Sequence, residues 1–131
     1  MMETINIKTT RDMEFVNITG QVQRIIDESE IENGVCYLYV PHTTAAITIN
    51  EGADPAVVQD IIEQLNKTVP KFGRYHHLEG NAHAHIKASI LGSSQIVLIE
   101  NKKLSLGTWQ SIFFCEFDGP RNRRVYTKIL K

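Results

Sequence analysis

The sequence predicts an α+β domain with a largely antiparallel sheet, a single unit spanning residues 1–131. Two observations carry this. Short runs rich in β-branched and aromatic residues recur along the chain, most of them separated by brief polar turns. Between them lie stretches with apolar residues at helical spacing, each opened by a residue that suits an N-cap. With 42% hydrophobic residues in 131, the chain can bury a core without metal or disulfide staples.

Taken in order, Ile5-Asn6-Ile7-Lys8-Thr9 alternates as a half-buried strand does, and Arg11-Asp12 turns into a second strand at Glu14-Phe15-Val16-Asn17-Ile18. The two are expected to form a hairpin. Thr19 suits the cap of a helix running through Val22, Ile25 and Ile26 to about Ile31, with Gln23, Arg24, Asp27 and Glu28 as its solvated face. Val35–Val40 and Ala45–Ile49 then read as the strands of a central hairpin around Pro41-His42-Thr43-Thr44. Asp54 as N-cap and Pro55 at the first helical position open a helix carrying Val57, Val58, Ile61, Ile62 and Leu65 on its apolar stripe. Residues 66–80 contain Pro70, Gly73 and Gly80 and read as loop. Asn81 suits the cap of a short helix from Ala82 to about Leu91, ended by Gly92. Strands at 95–100, 111–117 and 125–130 complete the sheet.

Composition excludes several classes of function. With 14 basic and 15 acidic residues the net charge is −1, which argues against nucleic acid or an anionic membrane as partner. No apolar run approaches the ~18 residues of a membrane span, and the N-terminus lacks an apolar signal core, so a cytoplasmic protein is expected. Cys36 and Cys115 fall inside apolar runs, where a free thiol behaves as a small buried hydrophobe.

Chemistry-bearing residues concentrate at strand ends and helix mouths. Four of the five histidines, His76, His77, His83 and His85, fall within ten residues. Imidazole is the commonest protein metal ligand, and a loop histidine, one from the adjoining helix and His42 form a candidate set for zinc. His83 and His85 point to different faces of a helix and do not both serve. His76 and His83 read as surface or supporting residues. Glu51 ends an apolar strand beside a glycine, where a carboxylate suits a ligand, a general base or the orienter of a histidine. Asp54 and Asp60 also have plain readings, as N-cap and helix surface. Glu116 interrupts the run Ile112-Phe113-Phe114-Cys115 and is expected to turn inward to meet Arg121. Trp109, the only tryptophan, either packs in the core or walls a pocket with Gln110 hydrogen-bonding a flat ligand. Arg121 suits phosphate, Arg123 and Arg124 read as solvated charge, and Lys87 and Ser89 are candidates to join an anion site.

Three segments, VPHTTAAITINEGADPAVVQD, HLEGNAHAHIKASILGSS and LSLGTWQSIFFCEFDGPRNRRV, resemble the signatures of the YjbQ-like family, also called secondary thiamine-phosphate synthases. The resemblance runs from about residue 3 to the C-terminus. It implies a twisted β-sandwich carrying helices, assembled as a homotrimer with sites near subunit boundaries. His42, His77 and His85 match family histidines, the spacing to Glu79-Gly80-Asn81 selecting His77 over His76, and Arg121 matches the family arginine. The implied site has His42, Glu51, Asp60 and His85 as catalytic residues and Thr43, Thr44, Asn81, Trp109, Gln110 and Arg121 against substrate. His42, His77 and His85 are its candidate ligands for a divalent metal, zinc or magnesium. The implied reaction joins a pyrimidine diphosphate to a thiazole phosphate with loss of diphosphate, so the expected partner is a small phosphorylated heterocycle. The alternative is a module that binds a metal or a small anion without catalysis. No Asp-rich diphosphate motif or Gly-rich phosphate loop accompanies these residues.

Overall fold

The structure, a computed structural model, describes residues 2–131. Its strands form two antiparallel sheets. The larger contains β1 (Met2–Lys8), β3 (Gly34–Tyr39), β5 (Ser94–Glu100), β6 (Lys103–Leu104) and β8 (Asn122–Leu130), in the order β1-β8-β3-β5-β6. The smaller contains β2 (Glu14–Asn17), β4 (Ala45–Glu51) and β7 (Gln110–Glu116), in the order β2-β7-β4. The expected α+β class with antiparallel sheet is therefore what the chain adopts.

Neither expected hairpin forms. β1 pairs with β8 and β2 with β7, while β3 pairs with β5 and β8 and β4 pairs with β7. Each apparent hairpin is an arch that carries the chain from one sheet to the other. The physical reason is burial. Cys36, Leu38 and Val40 face inward before Pro41-Thr44, and Ala45 and Ile47 face the same core after it. Two adjacent strands of one sheet would share a plane, whereas these face each other across the core. That core also takes Ile5, Ile7, Val97, Ile99, Val125, Ile112 and Phe114. Burying a side chain such as Phe114 contributes about 1.5–3 kcal/mol.

Helix α1 (Thr19–Ser29) closes the core with Val22 and Ile26. Thr19 does not cap it. Its hydroxyl instead accepts from the Ile112 amide at 2.8 Å, and the helix begins from Ile18. Helix α2 (Pro55–Thr68) begins as expected, the Asp54 carboxylate accepting from the Ala56 amide at 2.9 Å. Helix α3 (Ala82–Leu91) ends at Gly92, whose φ of 95° glycine tolerates far better than other residues. The outer face of the smaller sheet, through Ala46, Phe113 and Cys115, meets Ala84 and Ala88 of α3, with Val58 and Leu65 of α2 partly covering it. Both cysteines are free and buried, and burial pushes the Cys36 thiol up to about 11. Among the described residues no helix is long and apolar enough to cross a membrane.

Candidate anion-binding cleft

Three segments meet at one end of the smaller sheet: the arch Pro41-Thr44, the loop leading into α3, and the turn after β7. Their side chains line an open cleft of about 470 Å³ that includes His42, Thr43, Thr44, His77, Asn81, His85 and Arg121. The three family-matched histidines thus share one site. The His77 and His85 rings lie edge to face with centroids 5.1 Å apart. A second hollow, lined by Ser89 and Ser93, shares His42, Thr43 and His85 and continues the first along α3.

The arch is fixed from below by a buried ion pair. The Nε of Arg123 donates to both carboxylate oxygens of Glu116 at 2.9 and 3.1 Å, and its Nη2 donates to Glu116 as well. The same Nη2 donates to the Thr44 hydroxyl at 2.8 Å, while the Thr9 hydroxyl donates to Glu116 at 2.7 Å. Arg123 is 7% exposed and Glu116 fully buried, so the pair joins β8, β7 and the arch. This corrects two expectations. Arg123 is not solvated charge, and Glu116 meets Arg123 rather than Arg121. In the period-two alternation of β8, Arg123 shares the inward face of Val125 and Thr127.

Arg121 pairs instead with Asp118, its Nη2 donating at 3.0 Å and its Nε donating to the Asp118 carbonyl at 2.7 Å. Asn81, at the mouth of α3, gives no cap hydrogen bond and donates its amide to Asp118 at 2.9 Å. Its Oδ1 is buried without a partner among the described residues. Burial alone would raise the Asp118 pKa, but the hydrogen bonds from Asn81 and Arg121 and the nearby guanidinium charges hold it below the usual range. A native pKa below the unfolded one means the unfolded chain binds more protons between the two. The Asp118 contribution to stability is therefore full above the unfolded value and lost as pH falls through the native one. Urea unfolding across the acid range should show a steeper loss for the wild type than for Asp118→Asn; identical slopes would contradict the assignment.

The tautomer of His42 follows from its partner. Its Nε2 accepts from the Arg124 amide at 3.0 Å, so the neutral ring carries its proton on Nδ1. Burial first, then the charges of Arg123 and Arg124, lower its pKa and favour that neutral form. With Nε2 occupied and Nδ1 protonated, His42 presents a hydrogen-bond donor rather than a metal lone pair. Among the described residues no group of three or more His, Cys, Asp or Glu side chains is arranged to hold a metal ion.

Other expected site residues lie elsewhere. Glu51 and Gln110 pair at the far end of β4 and β7, beside Trp109, whose carbonyl accepts from the Gly52 amide at 2.9 Å. Seven residues of β7 separate that end from the cleft, about 20 Å at ~3.4 Å per residue. Trp109 is 65% exposed, so it is not core, and within one chain it does not face the ligand that Arg121 would hold. Asp60 sits exposed on α2. His83 and Lys87 are fully buried on the other side of α3 from His85, so Lys87 does not join this site.

The chain matches the family described as UPF0047 protein YjbQ-like over residues 3–131. The chain belongs to the YjbQ-like UPF0047 family. A UPF0047 protein of Methanocaldococcus jannaschii is 52% identical over 130 residues, covering 99% of this chain and 94% of the relative. The UPF0047 protein YugU of Bacillus subtilis is 47% identical over 131 residues, with 99% of each covered. A YjbQ/UPF0047 family structure from Clostridium acetobutylicum superposes with a TM-score of 0.96 at 55% identity, covering 98% of this chain and 99% of that one. These findings correct the expected reaction. The relatives carry family names without an activity, a Sulfolobus solfataricus neighbour is described as of unknown function, and none is named a thiamine-phosphate synthase.

Proposed function

We propose that the YjbQ-like cleft binds a small phosphorylated heterocycle. The observation that carries this reading is that His42, whose Nδ1–H is left free by the bond at Nε2, and the half-exposed Arg121 guanidinium line one cleft. Two donors suit phosphate oxygens, and a guanidinium supplies them in a planar fork. Calorimetry with inorganic phosphate and with uridine monophosphate as probes tests it. Both should bind, the nucleotide more tightly, and absence of heat with either would overturn the reading.

A divalent metal is the second reading, favoured by the approach of His77 to His85. Those two imidazoles would hold it, zinc before magnesium given nitrogen ligands, and the ion would neutralise phosphate charge. Phosphate binding abolished by a chelator and restored by zinc would select this reading over the first.

The family resemblance further suggests three copies. The outer face of the larger sheet supports association, because Tyr37, Tyr39, Ile96, Leu98 and Leu130 are between 42% and 59% exposed on neighbouring strands. Monomers seldom expose a contiguous apolar face of this kind. In such an assembly a neighbouring copy can bring its Trp109 and Gln110 to the cleft. Light scattering should report a trimer that Leu98→Glu weakens, and a wild-type monomer at micromolar concentration would contradict it.

A further inference from the structure

Lys87 is fully buried on α3, and no salt bridge compensates it among the described residues. An ammonium has three N–H donors and accepts nothing. Here it donates to Asn66 Oδ1 at 2.8 Å, to His83 Nδ1 at 3.0 Å, and weakly to Met13 Sδ at 3.8 Å. The three acceptors are neutral, so the hydrogen bonds are satisfied while the charge is not.

Because Nδ1 of His83 accepts, its proton sits on Nε2. That nitrogen has no hydrogen-bond partner among the described residues, although His83 is only 1% exposed. His83 lines a cleft of about 280 Å³ between α2, the start of β2 and the loop before α3. Met13, Pro70 and Phe72 give it apolar walls, Phe72 being 86% exposed. At its rim Lys71 pairs with Asp12 at 3.1 Å.

We infer that this second cleft binds a small organic carboxylate with an apolar body, its anionic head on His83 Nε2–H and its body against Phe72 and Met13. The Lys87 charge behind the imidazole has no salt-bridge partner among the described residues and, of the carboxylates, feels only the more distant Asp12, so it polarises that donor and favours an anion. The Asp12 carboxylate at the rim disfavours a dianion, and the cleft offers too few free donors for phosphate, so a monoanion fits. The site lies across α3 from the His42 cleft and does not depend on it.

Benzoate titration of the intact protein, followed by the His83 side-chain resonances, tests the inference. In the wild type these resonances should move saturably, and Lys87→Met should weaken binding about tenfold, as loss of a charge-assisted interaction does. Phosphate binding at the His42 cleft should be unchanged in Lys87→Met, which separates failure of one site from failure of the other. Should Lys87→Met fail to melt cooperatively, Phe72→Ala takes its place: weakened benzoate binding supports the site and unchanged binding overturns it. His83 resonances that stay fixed in the folded wild type, or equal affinity in Lys87→Met, would overturn it as well.

Discussion

Arg123→Met is expected to cost about 3–5 kcal/mol, the typical effect of removing one partner from a buried ion pair. The substitution leaves the Glu116 carboxylate buried with only the Thr9 hydroxyl and the Asp118 amide as donors. It also releases the Thr44 hydroxyl, so the arch bearing His42 loses its anchor. Set against the ~5–15 kcal/mol of a typical domain, this is a large share of the whole. A double variant, Arg123→Met with Glu116→Leu, should recover much of it, since an apolar pair of similar volume is often neutral relative to the ion pair. The urea midpoints of the two variants decide. Equal loss in both would mean that side-chain packing, not the stranded carboxylate, sets the cost.

Arg121→Met should weaken phosphate binding by about 10- to 100-fold, the range expected when a hydrogen bond to a charged group worth ~1.5–3 kcal/mol is lost. Its side chain is 54% exposed, so the stability change should stay within about 0.5 kcal/mol. Arg121→Lys keeps the charge without the planar fork and should fall between Met and wild type. Because Arg121 also holds Asp118, the melting temperature must be measured beside the affinity. An unaltered phosphate affinity in a folded Arg121→Met would remove this residue from the site.

The contrast between Arg121 and Arg123 shows where the sequence was legible. Asp54-Pro55 announced α2 because cap and first-turn chemistry are local, and Gly92 ended α3 for the same reason. The strands were legible as segments but not as pairs, since alternation reports burial of a face and not the identity of the neighbour. His42, His77 and His85 came together as expected, carried by motif spacing rather than periodicity. Trp109 and Gln110 did not join them, because β7 sets the two ends of one chain apart. Arg123 and Lys87 were missed since charge composition favours the surface reading. For Arg123 the missed signal was strand parity with Val125 and Thr127, and for Lys87 it was the four-residue spacing from His83, on the face of the helix opposite His85 and Ser89.

Nitrogen NMR of the imidazoles tests most directly whether His42 stands in its cleft as a neutral donor to an anion. In wild-type protein at neutral pH, His42 should show the Nδ1–H tautomer, and adding phosphate should shift its Nδ1 together with the His77 and His85 rings. An Nε2–H tautomer, or phosphate shifts confined to other histidines, would contradict it.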